Sequence, residues 1–263
     1  MCGPAWCWRK GGVRRKTQAQ PLQKEEEELA EDKAQAELSV APQVLRRVPL
    51  RGRLVTGDAL YCQRTLCQQI RRAKGHYLFV IKANQPELLA GVTLLFDQPP
   101  PGERFATVTS RRTKRDRLEV RTLTASAALA DYLRELGWMG AQQVMRWESQ
   151  VTAVGGTRKG QTTHLVRYFL TSLGRRVDPR ELLRLVREHW HIENRLHYVR
   201  DVTMGEDASQ VRSGAAPEVL AGLRNAVLGL LRQHGYVNIA EALRHFAWST
   251  GAALRLLGLP LTE

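Results

Sequence analysis

From residue 53 onward the apolar positions of this chain fall into short blocks, and the spacing within each block names an element. Arg53-Leu-Val-Thr56 is a β-branched run closed by Gly57-Asp58, the pattern of a buried strand with an acid at its carboxyl end. Between Ala59 and Lys74 the apolar Cys62, Leu66, Ile70 and Ala73 keep helical spacing, and Gly75 stands where a helix C′ residue belongs. Tyr77 to Ile81 is a continuous apolar run of strand length, and Asn84, Gln85 and Pro86 supply cap and first-turn residues for a helix to about Phe96. Strand, helix, strand, helix in that order predicts adjacent parallel strands under helices, an α/β arrangement.

After Pro99-Pro-Pro-Gly102 the rhythm changes. Arg104–Ser110, Leu118–Leu123, Gln142–Trp147 and His164–Leu170 all carry strand patterns, so the middle of the chain reads as a β-rich insertion. Asp178-Pro179, a cap followed by Pro at the first helical position, opens a helix expected to run to about Arg200, and helical spacing covers 216–233, 237–246 and 249–257. Upstream, a short helix is expected from Pro42 through Val44, Leu45 and Val48. Residues 1–27 mix Gly, Pro, basic and Glu clusters without either period, which predicts an irregular or disordered segment. The divisions that follow are 1–27, a core over 28–102, the insertion over 103–175 and a helical part over 176–263.

The longest apolar runs, Tyr77–Ile81 and Val227–Leu231, fall far short of the ~18–20 residues that span a bilayer, and no signal-peptide core follows the start. A soluble intracellular protein without a membrane partner is expected. Cys2, Cys7, Cys62 and Cys67 show neither a CxxC nor a zinc-finger spacing with histidine, which favours reduced thiols. Charge changes the picture more. Lys and Arg total 40 against 26 acids, a formal +14, divided as +2 over 1–50, +7 over 51–150 and +5 over 151–263. The excess is spread through the body, and arginine outnumbers lysine 32 to 8. The planar guanidinium suits bidentate phosphate contact, so a polyanion such as nucleic acid is the first partner to consider, beside the plainer reading of an arginine-rich genome.

Two acids stand out. On a helix wheel at about 100° per residue, Leu182, Val186 and Arg200 lie within about 20° of Glu193, and His189 and His197 about 40° away. Glu193 thus sits in the apolar stripe, while Arg184, Glu188 and Arg195 occupy the opposite face. A buried carboxylate needs a partner, which is a cation such as Arg200, a hydrogen-bond network or a metal ion. Asp58 stands at the carboxyl end of a strand, where ligands of open α/β sheets collect, or else serves as the N-cap of a helix starting at Ala59. Two carboxylates from a strand end and a helix face can hold Mg²⁺, a hard cation that favours oxygen ligands and activates oxygens for phosphodiester displacement.

The strings LVTGDALYCQ (54–63), YLFVIKANQPELLAGV (77–92), HWHIENRLHYVRDVTMGEDASQVRSG (189–214) and LAGLRNAVLGLLR (220–232) resemble the DDE transposases of bacterial insertion sequences, in the group that includes the H-repeat-associated proteins of Rhs elements. The resemblance runs from about residue 26 to 233. It implies an incomplete ribonuclease-H-like core with a β-rich insertion and a helical carboxyl-terminal part. The activity it implies is metal-dependent cleavage and joining of duplex DNA at the ends of a mobile element, using Mg²⁺ or Mn²⁺, by a homodimer on DNA in a bacterial cytoplasm, associated with the nucleoid. Carried over by position, Asp58 matches the second catalytic Asp and Glu193 the catalytic Glu. Such transposases place a first catalytic Asp in an Asp-Gly-Lys context on the first of three strands ahead of the matched region. Here there is no Asp-Gly dipeptide, and before residue 28 neither an Asp nor a strand-like run. Those three strands are therefore expected to be missing or replaced, as in a truncated or frameshifted gene copy, leaving the strand ending at Thr56 with an open edge. The alternative function is a catalytically inactive remnant that only binds DNA.

Other features rank lower. His189, Glu193 and His197 are spaced to line up as zinc ligands, but HExxH is absent. RRTKRDR, with Arg111, Arg112, Lys114, Arg115 and Arg117, forms a basic hairpin tip that is either a solvated turn or a DNA-backbone contact, and Arg200 is a further candidate for DNA contact. Trp138, Trp147 and Trp190 read as packing residues before base-stacking platforms. Gly155-Gly156 and Arg158-Lys159-Gly160 read as a turn, since no GKS/T follows.

Overall fold

The computed structural model describes residues 35–114, 116–157, 159–190 and 193–259, and the side chains of Lys114, Glu193 and Asn194 lie outside that description. The expected irregular segment 1–27, Cys2, Cys7 and Arg115 fall outside it as well. The chain divides into two compact units after Pro179.

In the first unit, β1 (Leu54–Gly57) and β2 (His76–Ile81) are parallel, joined through α2 (Arg64–Arg72). β2 is buried on both faces, with Tyr77, Phe79 and Ile81 on one side and Leu78 and Val80 on the other, which explains its unbroken apolar sequence. α3 (Pro86–Asp97) follows with Pro at its start. The middle of the chain then supplies β3 (Ala106–Lys114), β4 (Arg117–Ser126), a short α4 (Ala130–Glu135), β5 (Gln143–Ala153) and β6 (Thr162–Thr171). These four strands, longer than their sequence patterns suggested, continue the sheet that holds the parallel pair, in the order β1-β2-β6-β5-β4-β3, with β6 antiparallel to β2 from Leu78↔Thr171 to Ile81↔Tyr168. β1 ends the sheet, so its outer edge is unpaired among the described residues.

One face of this sheet carries the main core. Cys67 and Ile70 of α2, Leu88, Val92, Leu95 and Phe96 of α3, and Leu133 and Trp138 from the α4 region pack on Tyr77, Phe79, Ile81, Val144 and Leu170. Leu45, from the helix 35–47 (α1), joins the same cluster. Trp138 and Trp147 are both buried, each with a guanidinium over its ring, Arg64 at 5.5 Å and Arg167 at 6.0 Å. Cys62 and Cys67 are buried free thiols, and loss of solvent pushes Cys67 up to about 12.

Three helix boundaries differ from expectation. α1 already runs at residue 35 and passes through Pro42, whose missing N–H is tolerated while its carbonyl accepts a bond from Gln69 Nε2 at 2.8 Å. α2 begins at Arg64 and not at Ala59, because residues 58–63 are taken up by a turn. Its end is also shifted by one: Lys74 takes the left-handed position (φ 62°), and Gly75 is the next residue, its N–H returning to the Ile70 carbonyl at 2.9 Å.

In the second unit, α5 (Pro179–His189) stops well before Arg200. Trp190 N–H bonds to the Arg187 carbonyl at 3.2 Å, tightening the last turn, and the chain resumes as two π-helical turns, Glu193–His197 and Val199–Thr203. His189 and Trp190 are weak helix formers, in keeping with the end of α5 at this point. α6 (Ala216–Gln233), α7 (Ile239–Trp248) and α8 (Thr250–Leu256) follow, and Leu228, Leu231, Ile239 and Ala242 form a small core with Leu196, Val199, Phe246 and Leu256 packed around it. No helix among the described residues is long and apolar enough to cross a membrane.

Candidate functional site

Asp58 follows β1 directly and is exposed. Its Oδ1 accepts the Leu60 N–H at 3.0 Å, a local turn closed over two residues, so it caps a loop and not the helix expected at Ala59. Among the described residues, Oδ2 has no hydrogen-bond partner, which leaves one carboxylate oxygen uncommitted at a strand end. The turn is held from the neighbouring loop: Asn84 Nδ2 donates to the Ala59 carbonyl at 2.7 Å, and Gln85 Nε2 to the Cys62 carbonyl at 3.1 Å and to Gln63 Oε1 at 3.3 Å. Reading Asn84 and Gln85 as helix-cap residues missed this bracing, whose only sequence signal is a pair of amides just past a strand end. Gly57 precedes the acid because a Cβ there would stand 3.0 Å from both the Phe79 ring and Tyr61 Cβ. Tyr61 donates to Glu37 Oε2 at 3.2 Å, and burial, then Glu37, then Asp58 hold its phenol above the usual value.

Glu193 opens the first π-helical turn of the second unit. The wheel that placed it on the stripe of Leu182 and Val186 assumed one continuous α-helix. That geometry ends at His189, and a π-turn bonds i to i+5, so angular positions beyond it shift. Arg200, in the next π-turn, does not stand alone: its Nε donates to Glu206 Oε2 at 2.7 Å and its Nη2 to Oε1, a two-point pair with both side chains 23% exposed. The bond to Glu206 raises the Arg200 pKa and the bond to Arg200 lowers that of Glu206. Sequence reasoning missed Glu206 because six residues separate the partners, a spacing that no α-helical rule pairs.

The basic hairpin is where it was expected, between β3 and β4, with Lys114 paired to Arg117. Arg111, Arg112 and Arg117 are exposed, and strand alternation sends Arg111 and Arg112 to opposite faces. The register relates this tip to Asp58. Gly57 is level with Phe79, then Leu170, Val144 and Ser126 across the sheet. From Ser126 the strand continues nine residues to Arg117, about 30 Å past the end of β1 at ~3.3 Å per residue. The tip therefore projects beyond the same end of the sheet as the acid, but from the edge opposite β1.

These features meet a direct comparison. The family model described as "Transposase DDE domain" matches residues 29–230. The chain belongs to the DDE transposase family. Among curated relatives of this transposase domain, "Putative transposase YncI" of Escherichia coli O157:H7 is 30% identical over 210 residues, which is 74% of this chain and 50% of that protein. "H repeat-associated putative transposase YhhI" of Escherichia coli K12 is 25% identical over 209 residues, 78% of this chain and 54% of that protein. The chain spans about half the length of the curated relatives it matches. No solved structure matches it.

For a divalent metal, Asp58 offers an exposed carboxylate with an uncommitted oxygen at a strand end, a donor of the hard type that Mg²⁺ or Mn²⁺ takes. Asp58 fits as one such ligand. Glu193 belongs to the other unit and has the same donor chemistry.

Proposed function

We propose that this chain acts on duplex DNA as a metal-dependent transposase, with a ribonuclease-H-like core that is incomplete at its β1 edge. By the family resemblance Asp58 and Glu193 would each serve as a carboxylate ligand for Mg²⁺ or Mn²⁺, which when bound stabilises the charge that builds on the phosphoryl oxygens. The observation that carries this reading is the Asp58 carboxylate, matched to the family's acid, exposed at the carboxyl end of a parallel strand pair and braced by Asn84 and Gln85. The two amides fix the loop so that one oxygen stays turned to the Leu60 N–H and the other remains available. Glu193 in a π-turn supports the same reading, since single π-turns recur at functional sites. The exposed arginines of the hairpin, at the opposite edge of the sheet and about 30 Å further along the strand direction than the acid, would supply phosphate contacts to the flanks of a cleaved duplex.

A second reading, DNA binding without chemistry, is favoured by the unpaired edge of β1, since among the described residues no neighbouring strand there brings a third acid beside Asp58. Strand cleavage of an element-end duplex with Mn²⁺ decides between them. Cleavage by this chain that is lost in both Asp58→Asn and Glu193→Gln establishes the transposase reading. Duplex binding with no cleavage in any of the three proteins establishes the second.

A further inference from the structure

At the end of the sheet opposite the hairpin tip lies a concavity of about 480 Å³, formed by α4, the start of β5 and the turn after β6. Arg134, Arg175 and Arg176 line it, together with Asp131, Gln142 and the small residues Ala127, Ala130 and Gly174. Its one lining carboxylate, Asp131, is already bonded to Arg134. Arg175 and Arg176 are exposed and form no ion pair or side-chain hydrogen bond among the described residues. Two arginines thus remain without a bonded acid beside a hollow also lined by the small residues Ala127, Ala130 and Gly174. Guanidinium forks bind phosphate oxygens in pairs, and a compensated surface would have supplied acids instead.

We propose that this concavity is a second phosphate site, which takes a backbone phosphodiester of duplex DNA on Arg175 and Arg176. The inference rests on the DNA-acting role proposed above and extends it to residues outside the hairpin and the two acids. The strand register sets its distance from the hairpin: Ala127 follows the end of β4, and Arg117 begins it, nine residues from Ser126. That separation, about 30 Å, corresponds to about nine base pairs of duplex, so one duplex lying along the strands spans both basic features.

The test uses the full chain and a 25-base-pair duplex titrated at several salt concentrations, with three variants. Arg175→Gln/Arg176→Gln removes the two forks. Gly174→Glu places a carboxylate in the hollow, at a position where an added Cβ meets open space. Arg111→Gln/Arg112→Gln alters the hairpin only. The expected result is roughly tenfold weaker binding for each pocket variant, with the slope of log affinity against log salt smaller by about 1 to 2 for the double arginine variant. Unchanged circular dichroism shows that folding is intact, which the exposure of both arginines predicts. Pocket variants that bind like the unaltered chain while the hairpin variant weakens overturn the second site and leave the DNA-acting role standing. Failure of the unaltered chain to bind duplex at low salt overturns both.

Discussion

Lys74 shows how a single residue departs from its own sequence signal. The helix-ending glycine was expected at Gly75, yet the left-handed backbone falls on Lys74, whose carbonyl also accepts the Gly52 N–H at 3.0 Å. A non-glycine residue in that conformation costs about 1–2 kcal/mol, partly recovered through the smaller entropy a lysine loses on folding. Lys74→Gly should therefore raise stability by roughly 0.5–1 kcal/mol in urea denaturation, with an unchanged slope. Gly75 cannot exchange roles with it: a Cβ there would stand 3.0 Å from the Leu50 carbonyl oxygen and 3.1 Å from Ile70 Cγ2, so Gly75→Ala should lower the same midpoint. Close approach, and not a positive φ, keeps that position glycine.

At the scale of elements, the π-turns after α5 carry a titratable brace. Arg200 and Glu206 join the second π-turn to the segment that follows it, and the pair holds the Glu206 carboxylate below its ordinary value of 4.5. A carboxylate with a depressed pKa contributes stability that is present above the unfolded value and is lost as pH falls through the folded one. Thermal midpoints should thus show a Glu206→Gln deficit at pH 7 that shrinks as pH drops below about 4.5, where the unaltered carboxylate also loses its charge. A deficit that persists unchanged at pH 3 would show that the residue acts through packing. The partial exposure of both side chains keeps the expected effect small.

The whole molecule presents its arginine excess in two places that can be compared, the projecting hairpin and the body. With a net charge of +14, duplex affinity should fall steeply as salt rises, with weak dependence on sequence, because contacts to phosphate release counterions and carry no base information. Titration of two unrelated 25-base-pair duplexes at 50 and 200 mM salt tests this. Equal affinity for both duplexes and a drop of about tenfold or more between the two salt levels is the expected result. Indifference to salt would mean that the charge excess plays no part in binding. The hairpin's reach past the level of Asp58 gives this affinity a direction, toward the end of the sheet where the acid is exposed.

Much of this was legible from local pattern. Tyr77–Ile81 read as a buried strand because five consecutive apolar residues between turn signals have strand length, and Asp58 was marked by standing at the end of the β-branched run before it. The four middle strands and the last three helices were equally readable, because alternation and helical spacing are properties of neighbouring residues. What the chain order could not state is pairing. That β6 lies against β2, and that β1 is left at the edge, depends on contacts between residues far apart in sequence. The same holds for the bracing of the Asp58 loop by Asn84, for the Arg200 and Glu206 pair across a π-turn, and for the meeting of Arg134 with Arg175 and Arg176 around one hollow. Local periodicity determines which face a side chain takes; only the packed tertiary structure determines which other segment that face meets, because the free energy of that choice comes from burial summed over distant elements.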